Sequence, residues 1–331
     1  DRWFATVDPT TFRTVAYDIN DNGTIRHYGT EDSDYKTDVL SRKTNAFITN
    51  SAPVGPFFAY VAPVAPHEPS TPAQRDEHTY DGIHSPRLPS FDEEDVSDKP
   101  PWISQLPRLT SDQIAEIDYR HEKRVESLQA VDDLVGEMVS TLKNASVMSN
   151  TYIFFTSDNG WHHGEHRITS GKWRSYEEDI HMPLVVRGPG VAADSTTNKL
   201  TLNTDYLPTF TDLAGARIPS YVDGRTLKPV LSGSATSWRT AILLEAPAND
   251  ARPAYRGIRT VSTSTTTKSK YVEYAGGAKE LYRLDSDPYE LTNRYNATSP
   301  PSSLASRLKA LKTCAADAKA PAVTCKVAEG R

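Results

Sequence analysis

An acid and an amide stand side by side directly after a strand-forming run, in the stretch TYIFFTSDNGWHHGEHR of residues 151–167. Asp158 and Asn159 offer a carboxylate oxygen and an amide oxygen, the ligand atoms that a hard cation such as Ca²⁺ or Mg²⁺ prefers. The sequence Asp-Asn-Gly is equally good turn chemistry, and a turn that simply closes the strand needs no cation. From this stretch alone, a cation site and an ordinary turn both stay open.

Three histidines crowd behind this pair and offer a rival chemistry. His162 and His166 are spaced as zinc ligands are on a helix, and His163 could add a third nitrogen. Gly160 and Gly164 argue against a helix at this place, because glycine weakens helix interiors. The zinc interpretation therefore competes with the view that these histidines belong to a polar loop.

Two further side chains are candidates for binding an anion. His67 follows the apolar run 57–61 in the same way that Asp158 follows its own strand. Lys172 follows the acid–amide pair within the same segment, and a lysine at the end of a strand holds an anion as a point charge. Taken singly, each is equally well an ordinary loop histidine or surface lysine.

The elements that must position these residues follow from the hydrophobic periodicity. Residues 35–48 and 111–142 have helical spacing, and Thr110 with Gln113 forms a capping box before the longer helix. Short apolar runs at 57–61, 152–155 and 182–187 predict buried strands, and 203–213 predicts another helix. Helices alternating with buried strands indicate the α/β class, whose ligands sit at the carboxyl ends of strands.

The pattern changes beyond Trp238. Short strand-forming runs separated by turns predict a small antiparallel sheet, and residues 302–311 predict a final helix. We therefore expect two domains with a boundary near residue 235, namely 1–235 and 236–331. The Pro-rich segment 69–107 predicts a long surface excursion.

Composition narrows the class of protein. The net charge is -6 and the basic residues are dispersed, which disfavours a nucleic-acid partner, and no apolar run reaches the about 18 residues of a membrane span. Sequons at Asn22, Asn144 and Asn296 favour a secreted protein. In an oxidising compartment Cys314 and Cys325 would close one loop, while two free thiols in a cytosolic protein are the alternative.

The run SDNGWHHGEHRITSGKWRSYEEDIHMPLVVRGPGV resembles the sulfatase family, in particular its N-acetylglucosamine-6-sulfatase and arylsulfatase branch. FFAYVAPVAPHEP and KYVEYAGGAKELYRLDSDPYELTN are similar to further motifs of that family. The resemblance implies an alkaline-phosphatase-like α/β/α sandwich with a small four-stranded C-terminal subdomain. It also implies hydrolysis of sulfate esters, of the aryl sulfate or N-acetylglucosamine-6-sulfate type, with a formylglycine nucleophile and a divalent cation, usually Ca²⁺.

The same resemblance implies roles for single residues. Asp158 and Asn159 resemble metal ligands, and His67 resembles the histidine that faces the sulfate. Lys172 resembles the lysine that contacts a sulfate oxygen, while His162 matches a histidine that touches the substrate. A cation would polarise a sulfate oxygen, the lysine and histidine would donate to the charged transition state, and a histidine would protonate the leaving alcohol.

The chain departs from the family at its nucleophile. It has no Cys-x-Pro-x-Arg motif, since Cys314 precedes Ala-Ala-Asp-Ala and Cys325 precedes Lys-Val-Ala-Glu. The family's first pair of metal-binding aspartates and a second sulfate-contacting lysine also have no counterpart. We therefore expect a C-terminal portion of a sulfatase, inactive alone, whose partners are the N-terminal portion of the same enzyme and a sulfated small molecule or glycan.

This interpretation makes the protein secreted or lysosomal. Two other functions stay open at this point. One is a phosphoryl or phosphonate hydrolase of the same superfamily, which would use a Thr or Ser nucleophile and often two zinc ions. The other is a non-catalytic protein that binds sulfated glycans.

Overall fold

The computed structural model describes residues 1–264, 266–316 and 328–330. By internal contacts the chain divides into two units, residues 1–86 with 110–151 and residues 87–109 with 152–331. The boundary predicted near residue 235 lies inside the second unit, and the domains 1–235 and 236–331 stay a prediction. None of the helices in the described part combines the length and apolar character that crossing a bilayer requires.

The described residues form short strands and helices of very different lengths. The strands are β1 (Phe4–Thr6), β2 (Tyr17–Asp21), β3 (Thr24–Tyr28), β4 (Ile153–Thr156), β5 (Leu184–Arg187), β6 (Ala241–Ala246), β7 (Tyr255–Thr260), β8 (Ser269–Tyr274) and β9 (Lys279–Arg283). The α-helices are α1 (Lys36–Ser51), α2 (Pro101–Ser104), α3 (Ser111–Asn144), α4 (Glu177–Ile180), α5 (Tyr206–Leu213), α6 (Lys228–Leu231) and α7 (Ser302–Ala316). Short 3₁₀ turns occupy Asp32–Asp34, Gln74–Asp76, Met148–Asn150 and Asn203–Asp205.

The first unit contains an antiparallel sheet in the order β1-β2-β3, which the sequence did not predict. Alternate residues of β2 are buried, and the ring of Tyr17 stacks on Tyr28 of β3 at 5.1 Å between centroids. The two strands meet at the turn Asn22-Gly23, where both residues have positive φ. Polar outward positions conceal such a half-buried strand from a search for apolar runs.

Helix α3 confirms the predicted helix, and its start has the expected cap. The side chain of Thr110 accepts from the backbone N–H of Gln113, whose own side chain accepts from Thr110. α3 packs against α1, and Ser41 and Asn45 of α1 both donate to the carboxylate of Glu137.

The strand predicted at residues 57–61 is wrong. Its backbone pairs with no other strand in the described part of the chain, and the side chains of Phe58 and Tyr60 are 63% and 85% exposed. Strand-forming residues reflect a preference for a pleated, half-buried surface, and without a neighbouring strand that preference does not produce a ladder.

In the second unit β4 pairs antiparallel with β5, with Phe154 opposite Val186. Phe154 packs edge-on against Phe210 of α5 at 5.0 Å between centroids, and the hydroxyl groups of Thr156 and Tyr206 lie 2.9 Å apart. Helix α5 therefore supports the inner face and the end of β4. The outer face is exposed at Phe155, so β4 is half-buried rather than buried as predicted.

The C-terminal part confirms the expected small sheet, which has the order β6-β7-β8-β9 and is antiparallel throughout. Helix α7 covers it and confirms the predicted final helix. Their shared core consists of Ala241, Ile258, Tyr271, Leu281, Leu308, Leu311 and Ala328. Burial of this apolar surface stabilises the sheet. The sheet can therefore hold the side chains outside this core in fixed positions.

Candidate functional site

The end of β4 brings three of the predicted site residues together. The ammonium group of Lys172 donates to Asn159 Oδ1 at 3.0 Å. The amide nitrogen of Asn159 donates to the carbonyl of Gly160 at 2.9 Å, which turns the amide oxygen toward the lysine. Asp158 precedes this amide and is exposed. The loop thus holds an amide oxygen and an ammonium group in contact, next along the chain to an exposed aspartate whose Oδ1 lies 3.4 Å from Ser157 Oγ.

The donor chemistry at this place fits a hard divalent cation. Asp158 and Asn159 supply a carboxylate oxygen and an amide oxygen, and Asn159 Oδ1 already faces a positively charged group. Ca²⁺ takes about six to eight oxygen ligands, so these two residues would provide only part of its coordination shell. The types of donor atom therefore fit a divalent cation, while these two residues leave its coordination shell incomplete.

His67 belongs to the first unit and is exposed. Its ring stacks on Phe12 at 4.4 Å between centroids, and its Nδ1 lies 2.8 Å from the carbonyl oxygen of Glu68. A carbonyl can only accept, so Nδ1 carries a proton and Nε2 is the nitrogen left for other partners. The predicted contact of His67 with a sulfate stays a prediction.

Two of the three histidines that follow Asp158 and Asn159 lie inside the protein. His162 and His166 are fully buried, with Nδ1 of His162 2.8 Å from Asp179 and Nδ1 of His166 2.6 Å from Glu93. Burial lowers the pKa of His166 well below its ordinary value and raises the pKa of Glu93 to about 7. His166 is therefore a neutral donor in an internal pair.

Burial also changes what can be expected of His162. A side chain without accessible surface does not reach a substrate in this arrangement, so we assign His162 no contact with the substrate. His163 is half-buried, and its backbone N–H donates to Glu165 at 2.5 Å. Nothing in these contacts gives His163 a role.

The zinc interpretation of the histidines finds no support. Across residues 1–264, 266–316 and 328–330, three candidate ligand atoms come within 4.8 Å of one another only at Asp81, Glu122 and Glu126. That group contains no histidine. Lys123 Nζ lies 2.9 Å from Glu122 and 2.7 Å from Glu126, so an ammonium group already pairs with two of its three carboxylates.

Gly160 is required by a close approach to α4. A Cβ at this position would lie 1.8 Å from the carbonyl oxygen of Glu178. The backbone N–H groups of Gly160 and Trp161 donate to the carbonyls of Asp179 and Glu178 at 2.9 and 3.0 Å. The loop that carries Asp158 is thus fixed to α4 through its backbone.

The C-terminal sheet and its loops hold residues 173–180, which we call the anchored segment. Arg252 donates to the carbonyl of Trp173, which has a φ of 78°. The hydroxyl of Tyr255 donates to the carbonyl of Arg174 at 3.1 Å. A positive φ at a tryptophan is strained, and it persists because these contacts determine the backbone.

The following residues of the anchored segment are held in the same way. The fully buried Lys270 donates to the carbonyl of Ser175, and the hydroxyl of Tyr176 donates to Glu280 at 2.7 Å. The carboxylate of Glu177 accepts two hydrogen bonds from Arg259, at 2.9 and 2.8 Å. The C-terminal sheet therefore positions the segment that directly follows Lys172.

The sequence predicted neither these buried partners of the anchored segment nor the pairing of Glu93 with His166. Glu93 lies in the segment predicted to be a surface excursion, and its pairing with a distant histidine leaves no local pattern. Lys270 and Glu280 fall inside the stretch KYVEYAGGAKELYRLDSDPYELTN, which drew attention only as a family resemblance. The available signal was Lys270 beside a strand-forming run, because a lysine that a strand buries is rare unless it is paired.

Sequence comparisons relate the chain to sulfatases. The sequence model of the sulfatase family matches residues 5–216. A second model, described as N-sulphoglucosamine sulphohydrolase, C-terminal, matches residues 164–314. Human N-acetylglucosamine-6-sulfatase is 36% identical over 234 residues, which are 69% of this chain and 42% of that protein. The chain thus spans less than half the length of this curated relative.

Solved structures agree on the fold. A protein in complex with its substrate D-glucosamine-2-N,6-O-disulfate superposes with a TM-score of 0.81 at 22% identity, over 98% of this chain and 77% of that one. A phosphonate monoester hydrolase from Silicibacter pomeroyi reaches 0.68 at 24% identity, over 89% of this chain and 62% of that one. These likenesses show the predicted alkaline-phosphatase-like α/β fold. The match of the family model over residues 5–216, more than half of the chain, means that the chain belongs to the sulfatase family.

Proposed function

We propose that this chain carries part of the active site of a sulfuric ester hydrolase. The proposed substrates are sulfate esters of the aryl sulfate or N-acetylglucosamine-6-sulfate type. The observation that supports the proposal most is the placement of Lys172 Nζ at 3.0 Å from Asn159 Oδ1, beside the exposed Asp158. Groups suited to a cation and to an anion therefore lie together at a strand end.

Asp158 and Asn159 would hold the divalent cation, which we propose to be Ca²⁺, with Mg²⁺ as the alternative. When bound, the cation polarises a sulfate oxygen. The bond from the Asn159 amide nitrogen to Gly160 orients the amide oxygen, which accepts from Lys172 and would bind the cation in its place. Lys172 has three N–H donors, of which Asn159 takes one, so the others can bind sulfate oxygens.

His67 is proposed as the histidine that exchanges a proton with the leaving alcohol. Since the carbonyl of Glu68 holds Nδ1–H, the proton would pass through Nε2. The ring is exposed and is fixed from one side by stacking on Phe12. This leaves the opposite ring face and Nε2 accessible.

The nucleophile is proposed to come from elsewhere in a longer protein. The 331 residues contain no Cys-x-Pro-x-Arg motif, which carries the formylglycine in this family. We infer that an N-terminal portion supplies the formylglycine and the remaining metal ligands. The 331 residues alone are accordingly expected to be inactive toward sulfate esters.

A secreted or lysosomal location is part of the proposal. The sequon residues Asn22, Asn144 and Asn296 are all exposed, as glycosylation requires. Cys314 lies in α7, whereas Cys325 lies outside the described residues. Their disulfide therefore stays a prediction that belongs to the same oxidising location.

The experiment compares the full-length protein with Asp158→Ala, using Asp132→Ala in the exposed face of α3 as the matched control. We expect Ca²⁺-dependent hydrolysis of an aryl sulfate or of N-acetylglucosamine-6-sulfate. Asp158→Ala should lose about two orders of magnitude in kcat/KM together with Ca²⁺ binding, because a metal contributes several kcal/mol to such a transition state. The control should match the wild type in both measurements.

Three results would contradict the proposal. The first is normal turnover and metal content in Asp158→Ala. The second is a preference for phosphonate over sulfate esters with two zinc ions per chain, which would instead support the phosphonate hydrolase interpretation. Binding of sulfated glycans without any turnover would support the non-catalytic binder.

A further inference from the structure

We propose that Asp179 is a positioning residue that holds the two loops of the site in register. The donor loop is residues 157–162, which carry Asp158 and Asn159, and the lysine loop is residues 171–174, which carry Lys172. The inference rests on the proposed function, since it assigns a purpose to a residue outside the ligand and sulfate contacts. Asp179 itself touches neither the proposed cation nor the substrate.

Asp179 contacts both loops through different atoms. Its Oδ1 lies 2.8 Å from His162 Nδ1 at the end of the donor loop. Its Oδ2 accepts from the backbone N–H of Arg174 in the lysine loop at 2.6 Å. Its carbonyl oxygen also accepts from the backbone N–H of Gly160 at 2.9 Å. One residue thus bridges the two loops with both carboxylate oxygens.

The Asp179 bridge is buried. The hydrogen bond from Lys172 to Asn159, which joins the two loops directly, is only partly buried. Asp179 is 5% exposed and His162 is 0% exposed. The only hydrogen bond of the His162 ring among the described residues is the one to Asp179, because Nε2 has no such partner there. Removing the carboxylate therefore removes the ring's hydrogen bond and leaves the backbone N–H of Arg174 without this acceptor.

The remaining cross-links do not replace this bridge. The backbone N–H of His162 donates to the carbonyl of Gly171 at 2.9 Å, which joins the loops at one point. The contact of Lys172 with Asn159 engages the amide oxygen that the cation would take, so this contact would open when the cation binds. The Asp179 carboxylate is the side-chain link that can persist throughout such a change, alongside the backbone bond from His162 to Gly171.

The test is a Ca²⁺ titration of the full-length protein by calorimetry. Asp179→Asn keeps the volume but removes the charge and replaces one acceptor oxygen by a donor, so the side chain can no longer accept from both His162 Nδ1–H and the backbone N–H of Arg174. We expect the Kd for Ca²⁺ to rise about tenfold or more, the loss seen when partners that orient metal ligands are removed. kcat should fall by a similar factor, with KM changing less.

Asp21→Asn is the matched control. Asp21 is 7% exposed, nearly as buried as Asp179, and it lies in the first unit, paired with Arg2, Arg26 and Lys43. The same chemical change there should lower the thermal midpoint while leaving the Kd for Ca²⁺ unchanged. Equal effects of the two variants on Ca²⁺ binding would overturn the inference.

A second pair of variants keeps the inference testable if Asp179→Asn does not fold. His162→Asn retains an N–H donor near the position of Nδ1, whereas His162→Ala removes it. We expect Ca²⁺ binding close to the wild type in His162→Asn and about tenfold weaker binding in His162→Ala. Equal behaviour of these two variants, whether normal or impaired, would overturn the inference.

The two levels of the proposal fail in different ways. A wild-type protein that binds no Ca²⁺ would contradict the proposed function. A wild-type protein that binds Ca²⁺ and hydrolyses sulfate, alongside an Asp179→Asn variant with unchanged Kd and kcat, would contradict only the positioning role.

Discussion

The donors at the end of β4 and the anchored segment beside them are built in opposite ways. Asp158 is exposed, and Asn159 and Lys172 are linked by one hydrogen bond at the loop tips. The anchored segment is held by buried side chains at each residue from Trp173 to Glu177. The proposed site residues thus carry few constraints themselves and lie beside a segment that many buried contacts hold in place.

The energetics of the two regions differ accordingly. A solvent-accessible hydrogen bond such as that of Lys172 contributes little to folding, since water replaces it. A buried polar group left without its partner costs about 1–3 kcal/mol. Substitutions at the donors should therefore change activity and spare stability, while substitutions in the anchored segment should do the reverse.

Lys172→Ala tests the first half of this comparison and should have the largest effect. Loss of the point charge is expected to lower kcat/KM about 100-fold or more, because donors at a developing charge are worth that much. The free energy of unfolding should change by no more than about 0.5 kcal/mol, as for other surface positions. Lys199→Ala, at an exposed lysine outside the candidate site, is the control and should be neutral in both assays. A large loss of stability in Lys172→Ala would break the comparison.

Gly160→Ala tests the contact through which the two regions meet. The added Cβ would lie 1.8 Å from the carbonyl oxygen of Glu178, so either the donor loop or α4 must move. We expect both weaker Ca²⁺ binding and a lower thermal midpoint. Gly136→Ala in α3 is the control, because its Cβ meets nothing within 4 Å and should stabilise the helix by up to about 1 kcal/mol. Unchanged Ca²⁺ binding in Gly160→Ala would show that the contact is not needed.

Glu177→Gln probes the anchored segment through pH. Burial raises the pKa of Glu177, but the hydrogen bonds from Arg259 and the charge of Lys270 outweigh it and lower the pKa from 4.5 to about 2. Because the folded-state pKa lies below the ordinary value, the ion pair stabilises the fold above pH 4.5 and is lost as pH falls toward 2.

The glutamine variant should therefore be less stable than the wild type by about 2–3 kcal/mol at neutral pH. Urea unfolding at a series of pH values should show this gap constant down to about pH 5 and closing below it. A gap that persists unchanged to pH 3 would mean that Glu177 stabilises the segment by something other than its charge. kcat at neutral pH should fall less than in Lys172→Ala.

Tyr282→Phe should have the smallest effect. The hydroxyl of Tyr282 donates to Glu280 at 2.6 Å, and Glu280 also accepts from Tyr176 and Tyr274. Losing one of several donors to the same carboxylate should cost about 1 kcal/mol in unfolding free energy and leave kcat within about twofold. A tenfold loss of activity without loss of stability would contradict the division between the two regions.

Local patterns predicted the elements that depend on local chemistry. The capping box of Thr110 and Gln113 and the periodicity behind it predicted α3, and the apolar run before Asp158 predicted β4. The strand at 57–61 was wrong because a ladder needs a partner strand, which propensity does not supply. The β1–β3 sheet was missed because the outward residues of β2, Asp18 and Asn20, are polar.

The candidate site likewise contains residues that local sequence could predict and residues that it could not. Its donors could be predicted because Asp158, Asn159 and Lys172 lie close together in the sequence, directly after a strand. The residues that hold them could not, because Lys270 and Glu280 reach Ser175 and Tyr176 only through folding of the chain. The burial of His162 and its pairing with Asp179 likewise depend on contacts that no spacing reveals.

The most direct test of the account is an anomalous diffraction map of the full-length protein crystallised with Ca²⁺. We predict a peak about 2.3–2.6 Å from oxygen atoms of both Asp158 and Asn159. We also predict that Lys172 Nζ leaves Asn159 while the anchored segment keeps its contacts. A peak at Asp81, Glu122 and Glu126 instead, with none at Asp158 and Asn159, would contradict the account.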